Sequence, residues 1–79
     1  MAIDAALEMF LGENGIAVLE SLMLGAATVE EIHLITGLPL PCILTRVPVL
    51  KELGFVDEIA RGNVLSMKGW AIFGFQSVD

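Results

Sequence analysis

Glycine and proline cut this chain into pieces too short for anything but small elements. Gly12, Gly15, Gly25, Gly37, Pro39 and Gly54 interrupt the apolar periodicity every dozen residues or so, roughly the length of an ordinary helix. With 79 residues in total, the chain has room for one domain, spanning 1–79. Each short piece must therefore bury one stripe against its neighbours.

Ala2 to Leu11 reads as a first helix, with Ile3, Ala6, Leu7, Phe10 and Leu11 at helical spacing and Asp4 and Glu8 opposite. Ile16 to Leu24 reads as a second, which Gly25 can stop in a left-handed cap. After an extended Ala26-Ala27 link, Thr28-Val29-Glu30-Glu31 forms a capping box. The third helix that it starts ends at Gly37. Gly37-Leu38-Pro39 predicts a tight turn, and Pro41 suits the first position of a fourth helix. Ile43, Val47, Leu50 and Leu53 give that helix its buried stripe, and Gly54 ends it. Two strand-like runs follow, Phe55 to Ile59 and Val64 to Met67, joined through Arg61-Gly62-Asn63. Gly69 to Phe75 closes the chain as a helical turn or two. The expected class is mainly α with a small β-hairpin.

Pro48 falls inside the fourth helix. It removes a hydrogen bond to Leu44 and disfavours helical backbone at Val47. The expectation is a helix kinked, or split in two, at Pro48. The bend is either merely tolerated or shaped to a partner.

Composition limits what such a fold can do. The chain is 56% hydrophobic with mean hydropathy +0.80, yet a domain this small buries only about 60% of the surface its unfolded form exposes. Some apolar surface should therefore face a second subunit or a partner. The longest uncharged stretch, between Glu31 and Arg46, contains Gly37, Pro39 and Pro41 and falls short of the roughly 20 residues a membrane span needs. Asp4 and Glu8 stand where a signal peptide would carry positive charge, so the expected location is cytoplasmic.

Net charge is −6, which opposes sequence-independent binding to nucleic acid. Residues 1–40 hold Asp4, Glu8, Glu13, Glu20, Glu30 and Glu31 with no lysine or arginine. Arg46, Lys51, Arg61 and Lys68 all lie in residues 41–79, balanced there by Glu52, Asp57, Glu58 and Asp79. An anionic partner would have to meet the second half. The single cysteine, Cys42, and single histidine, His33, exclude an internal disulfide and argue against a metal site. Asp57 and Glu58 are adjacent on a strand and point to opposite faces, so they do not make a catalytic carboxylate pair. No phosphate loop or nucleophile–base arrangement is present. No cofactor is expected, and the chain does not read as an enzyme.

Thr28-Val-Glu-Glu-Ile32, Thr36-Gly-Leu-Pro39, Leu50-Lys-Glu-Leu-Gly-Phe-Val56 and Leu65-Ser-Met-Lys-Gly69 together resemble winged helix-turn-helix transcription regulators. The resemblance covers roughly residues 16–72 and implies a three-helix core with a hairpin wing. Residues 1–13 then become an added helix suited to dimerisation. It further implies that the 41–53 helix and the 55–67 wing meet DNA, with Thr45, Arg46, Lys51, Arg61, Asn63 and Lys68 as the contacting residues. The outward positions of that helix, Pro41, Thr45, Pro48 and Glu52, depart from the family's usual polar and basic set. Leu34 and Ile35 likewise stand where the family carries exposed polar residues. A module that docks onto protein in a larger complex therefore fits beside a DNA-binding regulator, since one fold serves both. A homodimer is expected, with Ile3, Leu7, Phe10, Leu34, Ile35, Trp70 and Phe73 as interface residues. His33 reads as a packed, hydrogen-bonded histidine and Cys42 as a quiet structural thiol.

Overall fold

In the computed structural model, which describes residues 5–74, the helical periodicity breaks at Gly12. Its backbone (φ 75°, ψ 166°) is outside the helical region and is one that side chains rarely tolerate. Helix α1, Ala5–Met23, is accordingly two segments meeting at that residue. The second begins about a turn earlier than the expected Ile16, and Gly15 lies buried inside it. Ile3 and Phe75 lie outside the described residues.

Helix α2, Val29–Thr36, starts on the capping box: the Thr28 hydroxyl accepts from the Glu31 amide at 3.1 Å, and Glu31 Oε1 accepts from the Thr28 amide at 3.0 Å. It stops at Gly37. The His33 Nδ1–H donates to the Leu38 carbonyl at 2.6 Å, and the Leu38 amide donates to the Thr36 hydroxyl at 3.1 Å. These two bonds fix the turn into helix α3, Leu40–Glu52. The chain direction changes by 115° between α2 and α3, within the ~90–120° typical of helix-turn-helix pairs.

Pro41 occupies the second position of α3, where its missing amide proton would have had no helical partner. The expected split at Pro48 does not occur; α3 runs through it unbroken. Val47 and Leu50, on either side of it in sequence, are 5% and 2% exposed, so both halves of the helix are held to the core. Pro48 and Leu44 lie on the exposed side, where water can serve the carbonyl left without a donor.

Strands β1, Val56–Ile59, and β2, Gly62–Leu65, form an antiparallel pair closed by Ala60-Arg61. The tip is therefore nearer the N-terminus than expected, and Asn63 pairs with Glu58 inside the ladder. The hairpin lies on the Ala26-Ala27 link: the Asn63 amide donates to the Ala27 carbonyl at 2.8 Å and its side-chain Nδ2 to the same oxygen at 2.9 Å. A Cβ on Gly62 would stand 2.7 Å from that carbonyl, and its φ of 138° also demands glycine.

Helix α4, Met67–Ile72, is capped by the Ser66 hydroxyl, which accepts from the Gly69 amide at 3.0 Å. It starts two residues before the expected Gly69, which leaves β2 ending at Leu65 rather than Met67. Val18, Leu19, Ile32, Ile43, Leu50 and Phe73, drawn from all three long helices and the end of α4, are fully buried. The result is a mainly helical fold with one two-stranded hairpin. Among the described residues no single helix is long and apolar enough to cross a membrane.

Two substitutions should move stability in opposite directions. Gly62→Ala should destabilise the fold by about 1–3 kcal/mol through backbone strain and the Ala27 contact. Pro48→Ala should stabilise it, by up to ~3 kcal/mol, by restoring a helical hydrogen bond. Thermal melts of the two variants beside the wild type check both signs.

Candidate functional site

The outward positions of α3 are as the heptad spacing predicts, with Pro41, Thr45, Pro48 and Glu52 all exposed. Their chemistry is largely turned back on the fold. The Thr45 hydroxyl donates to the carbonyls of Cys42 (2.8 Å) and Pro41 (3.1 Å). Lys51 Nζ lies 2.7 Å from Glu58 Oε1 on β1. Lys68 Nζ donates to the Leu53 carbonyl at 2.7 Å and sits 4.6 Å from the centre of the Phe55 ring. Asn63, expected at the wing tip as a DNA contact, is 8% exposed and bonded to Ala27. It is a fold residue.

Arg46 and Arg61 are exposed and make no hydrogen bond to the described residues. Arg61 does occupy the hairpin tip, where it acts favourably on Glu31. Arg46 borders a groove lined by Phe10, Leu11 and Val49, on the α1 side of α3. Lys51 reaches the hairpin on another side of the helix, five residues and so about 140° around the axis. Arg46 and Lys51 therefore do not share one side of α3.

What the surface does gather is apolar. Leu34 is 80% exposed, Leu24 69%, Leu44 59% and Ile35 48%. One cleft is lined by Ala17, Glu20, Met23, Leu24 and Ile35, and a second by Leu24, Glu31, Leu34 and Ile35. Sharing Leu24 and Ile35, they run together along the end of α1 and the outer side of α2. Of the other expected interface residues, Phe10 is 69% exposed, Leu7 packs partly against the core, and Trp70 lies at the surface. Phe73 is only 2% exposed, because the end of α4 turns it into the core. It belongs to the core and not to an interface.

Cys42 Sγ accepts from the Asn14 side chain at 3.3 Å and is half-buried. No group of three or more His, Cys, Asp or Glu among the described residues is placed to hold a metal ion. Two carboxyls titrate below their ordinary range. Glu31 is lowered mainly by the backbone amides of Thr28 and Ala27, and Glu58 by its hydrogen bond to Lys51. Comparison with known protein families, curated proteins and solved structures gives no match.

Sequence reasoning missed the role of Lys68 and the pair of hydrogen bonds that Asn63 donates to the Ala27 carbonyl. Ser66 with Gly69 three residues on was a readable N-cap, and it would have placed Lys68 in the first turn of α4. Nothing local announces the Asn63 contact, which joins residues 36 apart in sequence.

The Glu31 carboxylate gives a pH signature. Its folded value is depressed, so its contribution is fully present above the ordinary glutamate pKa of about 4.3 and is lost as pH falls through the lower folded value. Glu31→Gln should therefore melt below wild type at neutral pH, with the gap closing as pH falls below the ordinary glutamate range. Melting curves across that range check it.

Proposed function

We propose that this chain is a winged-helix module that docks onto a protein partner through the outer side of α2 and the adjoining end of α1. The observation that carries this is a contrast. Leu34 and Ile35 project from α2 at 80% and 48% exposure, while Lys51 and Lys68 are engaged within the fold. Contiguous exposed apolar side chains mark interaction surfaces. Phosphate binding needs free cations on one face, and a chain of net charge −6 repels a polyanion.

A DNA-reading regulator is the second reading. The 115° turn between α2 and α3 favours it, as do the exposed Arg46 and Arg61. In that reading a homodimer would bring four free arginines to the duplex.

Fluorescence anisotropy with a randomised duplex pool at low and moderate salt separates the two. The docking reading expects no binding even at low salt. Binding with a log–log salt slope of roughly −3 to −4, abolished in Arg46→Ala/Arg61→Ala, would overturn it in favour of the regulator. A photo-crosslinker replacing Leu34 in the native host should form protein adducts, and adducts to nucleic acid alone would argue the same way as a steep salt slope.

A further inference from the structure

The exposed apolar residues of the α1–α2 face follow a pattern. Glu20 stands four residues before Leu24, Glu30 four before Leu34, and Glu31 four before Ile35. On a helix that spacing puts each carboxylate one turn from its apolar neighbour on the same side. The two clefts join these turns into one surface, with Glu20 and Glu31 among the lining residues and Leu24 and Ile35 shared. Glu20 and Glu30 form no ion pair among the described residues, and the first 40 residues hold no lysine or arginine. Arg61, from the hairpin tip, acts on Glu31 alone. The face thus presents an apolar centre with an acidic margin.

Resting on the docking reading, we infer that this face receives a cationic amphipathic helix of a partner protein. Its apolar side lies on Leu24, Leu34 and Ile35, and its lysines or arginines meet Glu20, Glu30 and Glu31. A helix laid in an apolar groove is anchored by apolar side chains recurring every three or four residues along one side, and Leu24, Leu34 and Ile35 offer them an apolar bed. Charge along the margin then selects the partner and speeds encounter more than it adds affinity. An acidic helix or a phosphate surface would be repelled by the same margin. A second copy of this chain would bring the same acidic residues against themselves, because a two-fold interface is built from the same patch on both sides.

The test uses the full chain and three synthetic peptides read by anisotropy. One is a leucine–lysine helix with all leucines on one side, the second replaces its lysines with glutamate, and the third scrambles the first. The amphipathic basic peptide should bind at least ~10-fold more tightly than the scrambled one and should weaken as salt rises. Leu34→Ala should reduce that affinity about tenfold. Glu20→Gln/Glu30→Gln, which spares the capping Glu31, should reduce it about fivefold. Both changes are at exposed positions, and a melting curve identifies a variant that has lost its fold.

Equal binding of the ordered and scrambled peptides would mean charge attraction without a groove, and would overturn the inference. Preference for the glutamate peptide would overturn it while leaving protein docking intact. A dimer in sedimentation that Leu34→Ala abolishes would assign the face to a second copy and overturn it as well. DNA binding in the duplex assay sinks the docking reading itself, so the two failures are separable.

Discussion

The backbone of Ala27 is the point on which the two halves of the fold depend. The residue is 1% exposed, and buried peptide groups must find partners. Its N–H donates to Glu31 Oε1 at 2.9 Å, and its carbonyl accepts twice from Asn63. One end of the residue is thus tied to the start of α2 and the other to the hairpin. Without these bonds the hairpin, a two-stranded sheet too small to stand alone, would lose its tie to the link between α1 and α2 and keep side-chain packing and the exposed Lys51–Glu58 ion pair. The same need explains Gly62, since a Cβ there would drive the strand off the Ala27 carbonyl.

Most of the helical architecture was legible because its signals are local. The capping box at Thr28, the left-handed stop at Gly37 and the Ile43–Val47–Leu50 stripe each act within about two turns of chain. The misreadings came where a distant contact outweighed a local rule. Pro48 argues for a break, but the burial of Val47 and Leu50 holds α3 continuous. Arg61-Gly62-Asn63 argues for a turn, but the Ala27 contact draws Gly62 and Asn63 into β2 and leaves Ala60-Arg61 at the tip.

The candidate site was less legible, because charge on a sequence says nothing about where that charge is engaged. Lys51 and Lys68 read as free cations until the fold brings Glu58 and the Leu53 carbonyl to them. Phe73 reads as a surface aromatic in a short terminal helix, and only the docking of α4 shows it to be core. Leu34 and Ile35 were visible as anomalies only through the family resemblance, which expects exposed polar residues at those positions. Their grouping with Leu24 required the clefts between α1 and α2.

Glu31 belongs to both regions at once. One of its oxygens accepts from Thr28 and from Ala27, whose carbonyl in turn holds Asn63, while the same side chain borders the cleft beside Leu34. A short polar relay therefore runs from the outer surface, through the backbone of the buried Ala27, to the hairpin. By thermodynamic reciprocity, if a charge bound at this carboxylate changes the hold on the hairpin, loosening the hairpin changes the affinity for that charge by the same factor. The carboxylate that starts a helix is also the point at which surface occupancy would meet internal order.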